Sequence, residues 1–516
     1  FPKRYEIYTS FDGEKWEKLA ASLESGGAAK PQTVACAQQC AAYVRIVITE
    51  SAKNSNGGSI AQLSEIEIMG EKMAVGDPFI NKTALRMQPG ESDKLCLTRL
   101  NTDKRIPAPD VVWSSDNESI AKIDSNGVVT AVSLGSATLR GTTKNKVYTC
   151  KITVDEHSML DHFMITTFRS PSKPHLTPET YDLLQAAGFT NIQNEYNTTV
   201  NTLEDNLLMA QYSYERGMDI TASLGDWKDG FVGITYEEIQ ERISLVSHVP
   251  GVGGIYIMDE PYNANQYAPA FKAIKDLLPY ADVHLNFLPL VAYPNATIYE
   301  AQMNDLYQLS GGRLDYLMYD YYPFGLQADS FNEGLWYRNL DVVRKLGLKT
   351  GAKTATFIQS ISLRSGYRRP NGKEIRFEAY SAAAYGYKQL AYFCWETPNE
   401  VDYGFGPAIV DTEGKPTEIY EPVKEVNNEI LKLGPTLMQL DSVNVYQVGN
   451  SSGYDTALPE DFFIRPQGDA QLVISHMRNK NTDTDYAMLV NRDLKNEQTV
   501  TFTVPEGTAS IEEISN

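Results

Sequence analysis

The sequence predicts a multidomain fold in which two all-β N-terminal modules precede a TIM (β/α)₈ barrel and a C-terminal β-sandwich. Between residues 156 and 433, apolar strand-like runs alternate eight times with helix-like segments, which is the number and size of such a barrel. The segments on either side instead alternate apolar and polar residues, which is typical of exposed sheets. A doubly wound sheet is the alternative, but no glycine-rich phosphate loop follows the first predicted strand.

Residues 1–72 form the first predicted module. Strand-like alternation at residues 5–10 and 43–48 is separated by a turn. The stretches "YEIYTSFDGEKWEKLA", "AAYVRIVI" and "AQLSEIEIMGE" resemble the second half of a discoidin-like module, of the coagulation-factor type C or carbohydrate-binding family 32 kind. The resemblance implies a partial carbohydrate-binding β-sandwich, and a β-sandwich spacer is the alternative. Because the first half is absent, we assign no binding residues here.

Residues 73–155 form the second predicted module. The pair Asn126-Gly127 lies between two strand-like runs and is a strong hairpin signal. The stretches "WSSDN" and "AKIDSNGVVTAVSLGSATL" resemble a bacterial Ig-like domain of group 2. That resemblance implies a spacer between other domains and no chemistry of its own.

The barrel segment covers residues 156–433, and a C-terminal β-sandwich follows at 434–516. Continuous apolar runs predict buried parallel strands at 163–167, 191–196, 219–224, 254–258, 283–288, 314–319, 350–357 and 390–395. Helical patterns are clearest at 177–187, 202–216, 236–246 and 377–388. In the C-terminal segment, alternation at 472–475, 486–490 and 499–504 predicts the strands of the sandwich.

Composition excludes several classes of function. A net charge of −20 argues against a nucleic-acid partner, which requires a basic surface, and suits a neutral ligand. No apolar run has the ~18 residues that predict a membrane span. The five cysteines and six histidines lack the spacing of a zinc site, so we predict neither a metal nor another cofactor.

Polar and aromatic residues follow the predicted barrel strands, at the end where barrel enzymes place their active sites. Glycoside hydrolysis requires one carboxylic acid to protonate the leaving oxygen and a second carboxylate to attack or to activate water, and aromatic rings hold sugar faces. The catalytic candidates are Glu260, Asp320 and Glu396, after strands four, six and eight. The substrate-binding candidates are Arg169, Asn194, Asp226, Trp227, Asp259, Asn286, Tyr322 and Trp395. We expect Asp259 to point to the opposite side of its strand from Glu260.

Strand four, "GGIYIMDEP", resembles the strand-four motif of clan A glycoside hydrolases such as family 5, in which an Asn-Glu-Pro supplies the acid/base. Glu260 and Pro261 match that motif, whereas Asp259 replaces the asparagine that binds the sugar 2-hydroxyl. Strand seven, "KTGAKTATFIQS", lacks the glutamate that is the nucleophile of the clan.

Family 18 chitinases offer a second resemblance, with one glutamate at the end of strand four, a Met-x-Tyr-Asp-like motif in strand six and a tryptophan after strand eight. The residues at those positions are Glu260, Met318, Asp320 and Trp395. Tyr256 and Met258 stand where the family has aspartates that assist the substrate's acetamido group. Both resemblances imply that Glu260 is the catalytic acid.

These observations predict a secreted, periplasmic or cell-surface bacterial glycoside hydrolase that acts on a poly- or oligosaccharide. Glu260 is the expected acid/base, with Asp320 or Glu396 as its partner. A carboxyl separation of ~5–5.5 Å implies retention of configuration and ~6.5–9.5 Å implies inversion. The alternatives are an inactive glycan-binding surface protein and a family 18-like, substrate-assisted glycosidase. Because the chain begins inside a strand-like pattern at Phe1, we expect a missing N-terminal segment, which is one route to surface attachment.

Overall fold

The structure is a computed structural model, and it describes residues 2–10, 16–24, 43–53, 59–60, 78–80, 84–101, 104–107, 111–144, 146–154, 159–247, 249–364, 366–399, 404–505 and 511–514. In the N-terminal module, a four-stranded antiparallel sheet has the order β2-β1-β3-β4. Its strands are β1 (Pro2–Ser10), β2 (Glu17–Glu24), β3 (Tyr43–Lys53) and β4 (Ser59–Ile60). Both predicted strands fall in this sheet. The stretch "AQLSEIEIMGE" lies outside the described residues, and the discoidin-like interpretation stays a prediction.

The second module is built from three small sheets, ordered β10-β13-β14-β6, β11-β12-β7 and β5-β8-β9. The strands are β5 (Phe79–Ile80), β6 (Ala84–Met87), β7 (Ser92–Lys94), β8 (Leu97–Asn101), β9 (Lys104–Pro107), β10 (Val112–Ser115), β11 (Ala121–Ile123), β12 (Val128–Ala131), β13 (Gly135–Thr142) and β14 (Val147–Val154). The predicted hairpin turn joins β11 to β12. Gly127 has a φ of 78° there, and a Cβ at this position would lie 2.2 Å from the Leu95 carbonyl oxygen, so the turn requires glycine.

Eight parallel strands close into a barrel, in which each strand pairs with the next and the last pairs with the first. They are β15 (Met164–Phe168), β16 (Asn191–Gln193), β17 (Asp219–Ala222), β18 (Val252–Asp259), β19 (Asp282–Phe287), β20 (Tyr316–Tyr319), β21 (Lys353–Gln359) and β22 (Gln389–Phe393). All eight predicted strands overlap these elements. The predicted (β/α)₈ barrel is therefore confirmed.

Helices surround the barrel: α1 (Pro178–Ala186), α2 (Leu203–Tyr214), α3 (Tyr236–Ser244), α4 (Ala268–Leu277), α5 (Ala296–Leu309), α6 (Glu333–Thr350), α7 (Gly372–Ala384) and α8 (Tyr420–Leu437). Capping boxes start three of them, at Thr202, Thr235 and Asn371. The predicted helix 377–388 is observed at Gly372–Ala384. It begins earlier than predicted because Asn371 caps the amides of Lys373 and Glu374.

Alternate residues of the barrel strands enter two separate cores. Outward-facing aliphatic residues such as Ile165, Ile220 and Ile255 pack against the helices. The inner core consists of larger and aromatic side chains, namely Met159, Leu160, Met164, Phe168, Tyr256, Tyr316, Met318, Ala355, Phe357 and Ala391, with Tyr196, Tyr322 and Phe393 partly buried against it. Aromatic rings therefore fill the barrel interior and reach its mouth.

The C-terminal unit contains two small sheets, β23-β25-β26 and β24-β27. The strands are β23 (Leu440–Val448), β24 (Arg465–Pro466), β25 (Leu472–Asn479), β26 (Asp485–Asn491) and β27 (Phe502–Thr503). A separate apolar cluster includes Leu472 and Ile474 and lies against Phe462 and Phe502. Arg344 of α6 donates to the Ser442 and Val443 carbonyl oxygens, each at 2.7 Å, and so joins this unit to the barrel.

Among the residues that the structure describes, no helix combines the length and the apolar composition needed to cross a membrane.

Candidate functional site

A β-bulge in β18 determines which side chains enter the mouth of the barrel. Tyr256 lies opposite His284 and Asp259 lies opposite Asn286, so two residues of β18 face the single residue Leu285 of β19. The extra residue reverses the alternation of side chains beyond it. Asp259 therefore points toward the barrel axis, and the expectation that it points away from Glu260 is wrong.

Glu260 follows the bulge and leaves the strand in a left-handed conformation. Its φ is 45°, which is uncommon for a residue with a Cβ. Its backbone N–H donates to the Asn286 carbonyl oxygen at 2.9 Å, so the residue still extends the ladder with β19. Strain of this kind persists where the surroundings impose it, and it is concentrated at functional sites.

Three carboxyl groups meet around one amide, and we call Asp259, Glu260 and Asp320 the carboxyl cluster. The Asn286 Nδ2 donates to Asp259 Oδ1 at 2.9 Å and to Asp320 Oδ1 at 3.0 Å. The charges of Glu260 and Asp259 both raise the pKa of Asp320. The ends of β18, β19 and β20, which are neighbours in the barrel, thus bring four predicted site residues together.

Burial raises the pKa of two members of the carboxyl cluster. Desolvation raises the pKa of Asp259 to about 7, with further contributions from the charges of Glu260 and Glu195, while the Asn286 hydrogen bond and Arg169 oppose the rise. Desolvation, followed by the charges of Glu260 and Asp259, holds the pKa of Asp320 well above its usual range. The site therefore favours the protonated forms of both aspartates.

Arg169 and Glu195 lie beside the cluster. Arg169 follows β15 with a φ of 65°, and its Nε lies 3.8 Å from Glu195 Oε2. The guanidinium opposes the rise in the Asp259 pKa, and the Glu195 charge adds to it. Glu195 is absent from the predicted site residues, although its position directly after Asn194 at a strand end was the available signal.

Aromatic side chains line the mouth next to the carboxyl cluster. The Tyr322 ring lies 5.6 Å from Phe393 and 5.4 Å from Tyr367. Burial raises the pKa of Tyr322, and so do the charges of all three carboxyl groups of the cluster. Burial raises the pKa of Tyr293 to about 12, with the charge of Glu260 contributing. Only Tyr322 is among the predicted site residues; the aromatic runs around Tyr367 and Phe393 carried no distinguishing signal.

Asn194 is buried, and protein groups occupy its polar atoms. Its Nδ2 donates to the carbonyl oxygens of Val200 at 2.8 Å and Ser223 at 3.1 Å, and to Asn206 Oδ1 at 3.2 Å. Its Oδ1 accepts from Ser170 Oγ, Glu195 N and Thr198 Oγ1 at 2.8–3.0 Å. The structure thus places Asn194 as a connector of loops beneath the mouth.

Two predicted sugar-binding residues lie after β17 and away from the cluster. Trp227 is buried in the outer core, with its ring 5.3 Å from Phe231. Asp226 is exposed and raises the pKa of Arg242 on α3, so it lies toward the helices. The loop that follows β17 turns outward before these side chains reach the barrel axis.

Trp395 and Glu396 follow β22 and contact residues outside the carboxyl cluster. Trp395 is buried between Phe189, at 5.5 Å, and Tyr420, at 6.1 Å between ring centroids. Glu396 accepts from Ser172 Oγ at 2.5 Å and from Ser172 N at 2.9 Å, and His175 Nδ1 lies 3.0 Å away. Phe393, the last residue of β22, is the strand-eight side chain that packs against the inner core of the barrel.

In the part of the chain that the structure describes, no three His, Cys, Asp or Glu side chains are arranged to bind a metal ion.

A comparison with protein families identifies the second module. Residues 79–154 match the bacterial Ig-like domain (group 2) family. The match covers β5 through β14 and confirms the prediction made from the "WSSDN" and "AKIDSNGVVTA" stretches. The Ig-like domain therefore precedes the barrel directly.

Several solved structures are similar to the chain. A β-galactosidase from Rahnella sp. R3 is 12% identical with a TM-score of 0.41, and the match covers 55% of this chain and 58% of that one. A family 39 glycoside hydrolase from Bacteroides cellulosilyticus WH2 is 11% identical with a TM-score of 0.36, over 78% and 90% of the two chains. Xylanase 10B from Thermotoga maritima is 15% identical with a TM-score of 0.35, over 53% and 97%. Structures similar to this chain thus include glycoside hydrolases.

A curated protein that matches part of the chain is named Probable dipeptidyl-aminopeptidase B, from Sclerotinia sclerotiorum. The two are 26% identical over 144 residues, which is 28% of this chain and 15% of that protein. The chain thus spans a small part of that relative.

Proposed function

We propose that the protein is a glycoside hydrolase in which Glu260 is the general acid/base. The observation that carries this proposal is the carboxyl cluster at the mouth of the barrel, where the Asn286 amide donates to Asp259 and Asp320 and burial raises the pKa of both carboxyl groups. A carboxyl group that carries a proton beside an aromatic-lined opening can protonate the glycosidic oxygen as it leaves. The substrate class is a neutral poly- or oligosaccharide, since Arg169 is ion-paired with Glu195 and the mouth is otherwise acidic.

In the reaction, a proton passes from the Glu260 carboxyl group to the glycosidic oxygen while the bond from that oxygen to the anomeric carbon breaks. Water then supplies the hydroxyl group to the anomeric carbon and returns its other proton to the Glu260 carboxylate. Tyr322, Phe393 and Tyr367 provide ring faces against which a sugar packs.

The position of Asp259 directly beside Glu260 favours a second candidate, the family 18-like, substrate-assisted glycosidase. In that scheme the acetamido oxygen of the substrate attacks the anomeric carbon, so no separate protein nucleophile is required. A neighbouring carboxylate orients the acetamido group, and Asp259 lies beside Glu260 with a pKa of about 7. This candidate limits the substrates to 2-acetamido sugars.

A secreted, periplasmic or cell-surface location belongs to the same proposal. A bacterial Ig-like domain directly before the barrel supports it, because spacer modules suit enzymes that act on large glycans. Proteolysis of intact cells, followed by detection of the protein in the cell, surface and medium fractions, tests the location.

The test of function is the release of reducing sugar from neutral polysaccharides and of 4-nitrophenol from a panel of 4-nitrophenyl glycosides. We expect Glu260→Gln to lower kcat by about 10²–10⁴-fold. Glu425→Gln, on the exposed surface of α8, is the matched control and keeps full activity. Activity confined to N-acetyl glycosides, with inhibition by a thiazoline analogue, selects the substrate-assisted candidate. Unchanged activity in Glu260→Gln contradicts the assignment of the acid.

An inactive wild-type protein that binds oligosaccharides in calorimetry would instead support the glycan-binding alternative. The strand-seven position without a glutamate is the feature of the sequence that favours that outcome.

A further inference from the structure

Gln359 is the last residue of β21 and is only 1% exposed. Protein groups occupy both ends of its side-chain amide. Oε1 accepts from the Phe324 backbone N–H at 3.1 Å, and Nε2 donates to the carbonyl oxygens of Phe324 at 3.2 Å and Arg368 at 2.5 Å. Both amide hydrogens of the side chain are thereby used within the protein.

These hydrogen bonds join two loops at the mouth of the barrel. Phe324 lies in the loop between β20 and α6, and Arg368 lies in the loop between β21 and α7. The loops also pair with each other, because Gly325 forms a β-bridge with Tyr367. Gln359 is thus a buried connection between the two loops.

Arg368 strengthens the same connection. Its guanidinium carbon lies 5.0 Å from the centre of the Phe324 ring. Two of its nitrogens donate to the Glu374 carboxylate at 2.6 and 2.7 Å, which attaches the loop to the first turn of α7. Phe324 is therefore held through its backbone by Gln359 and through its ring by Arg368.

The joined loops carry aromatic side chains of the mouth. Tyr322 lies two residues before Phe324, and its ring is 5.4 Å from Tyr367 and 5.6 Å from Phe393. We call Tyr322, Tyr367 and Phe393 the aromatic surface, and all three are partly exposed. Because Tyr322 and Tyr367 each lie within two residues of a group that Gln359 binds, a shift of either loop would move these rings apart.

We propose that Gln359 is a positioning residue that holds the aromatic surface in the geometry that binds a sugar ring. This inference rests on the proposed function. Binding groups on loops are placed accurately only when buried hydrogen bonds fix the loops beneath them, and the Gln359 amide supplies three such bonds. The strand-seven position without a glutamate then acts in substrate binding and not in attack on the anomeric carbon.

The test is the kinetics of Gln359→Met with the 4-nitrophenyl glycosides that the wild type cleaves. Methionine is similar in length and volume but cannot form the three hydrogen bonds, so the loops are released. We expect KM to rise about tenfold, the size of one lost aromatic contact, while kcat changes by less than about twofold. Gln359→Asn, which keeps the amide on a shorter side chain, gives the same test if the methionine variant does not fold.

The matched control is Gln447→Met in the C-terminal unit. Gln447 is also buried, and its amide also bonds at both ends, since Nε2 donates to the Tyr385 hydroxyl at 2.6 Å and Oε1 accepts from the Thr456 backbone N–H at 2.8 Å. Its substitution should lower Tm without changing KM. Equal KM values for the Gln359 and Gln447 variants would show a purely structural role and overturn the inference, while the proposed function stands.

A double-mutant cycle tests whether Gln359 acts through the aromatic surface. Tyr367→Ala removes one ring but keeps the backbone that pairs with Gly325. The rise in KM of the double variant should be smaller than the product of the two single effects, because the second substitution finds the surface already disrupted. A rise equal to that product overturns the inference.

Gln359→Glu separates positioning from nucleophilic attack. Glutamate has no side-chain N–H for the Phe324 and Arg368 carbonyl oxygens, so we expect kcat/KM to fall. A rise would mean that the new carboxylate attacks the anomeric carbon, which overturns the inference. If the wild type cleaves no glycoside, the proposed function fails, and the Kd of the same glycosides in calorimetry replaces KM. A wild type that also binds none of them overturns the inference as well.

Discussion

Asn286 lies opposite Asp259 across the β18–β19 pair and donates a hydrogen bond of 2.9 Å to its carboxyl group. The same amide nitrogen donates to Asp320 at 3.0 Å. One side chain therefore holds two carboxyl groups that would repel each other if both were ionised. Burial also raises the pKa of both carboxyl groups, so the arrangement favours their protonated forms.

Asp259→Asn is expected to stabilise the protein at alkaline pH. Burial raises the Asp259 pKa from 3.8 to about 7, so the folded state holds the proton more tightly than the unfolded chain. The stability contributed by that proton is fully present below pH 4 and is lost as the pH rises through 7. At pH 8 the variant should gain up to about 4 kcal/mol in free energy of unfolding, at about 1.4 kcal/mol per pKa unit.

Denaturant unfolding at pH 8 and pH 5 measures this effect. The gain should shrink at pH 5, because the folded wild-type carboxyl is then protonated. An equal gain at both values would show that the carboxyl is not desolvated in the folded protein. Activity should fall in the same variant if Asp259 acts on the substrate.

Asp320→Asn is expected to keep the fold and lose activity at high pH. Burial and the charges of Glu260 and Asp259 raise the pKa of Asp320, so a neutral asparagine preserves its shape and its acceptor for Asn286. Asparagine carries no carboxyl proton, so the alkaline limb of the kcat/KM profile should move to lower pH. At pH 8 the loss should be about 10–100-fold.

The measurement is the kcat/KM profile of both proteins between pH 4 and 9, with thermal unfolding as a control for folding. Superimposable profiles would mean that Asp320 holds no proton that the reaction uses.

Asn194→Ala is expected to destabilise the protein by about 3 kcal/mol, because it removes a set of hydrogen bonds between buried groups. The groups that lose a hydrogen bond include the Val200 carbonyl oxygen, the Ser170 hydroxyl and the Glu195 backbone N–H. Urea unfolding followed by circular dichroism measures the change. Asn197→Ala, an exposed asparagine three residues along, is the control and should change stability by less than about 0.5 kcal/mol. Equal stabilities of the two variants would contradict the role of Asn194 as a connector.

The sequence by itself determined the order of the modules and the position of the barrel strands. Buried parallel strands need unbroken apolar runs, and eight such runs spaced by helical segments leave few alternatives to a closed barrel. The Ig-like domain was equally clear, because the Asn126-Gly127 hairpin and its flanking strands are local features. The carboxyl ends of parallel strands lie at one end of a barrel, so the sequence also placed Glu260 and Asp320 at the same rim.

Only the tertiary structure decided where the side chains at that rim point. A bulge turns Asp259 inward, a left-handed φ redirects Glu260, and neither has a signature in the residues themselves. Trp227 and Trp395 follow their strands as the predicted sugar platforms would, but the loops carry both rings into the outer core. Position along a strand is set by local periodicity, whereas the direction of a loop side chain depends on packing against residues distant in sequence.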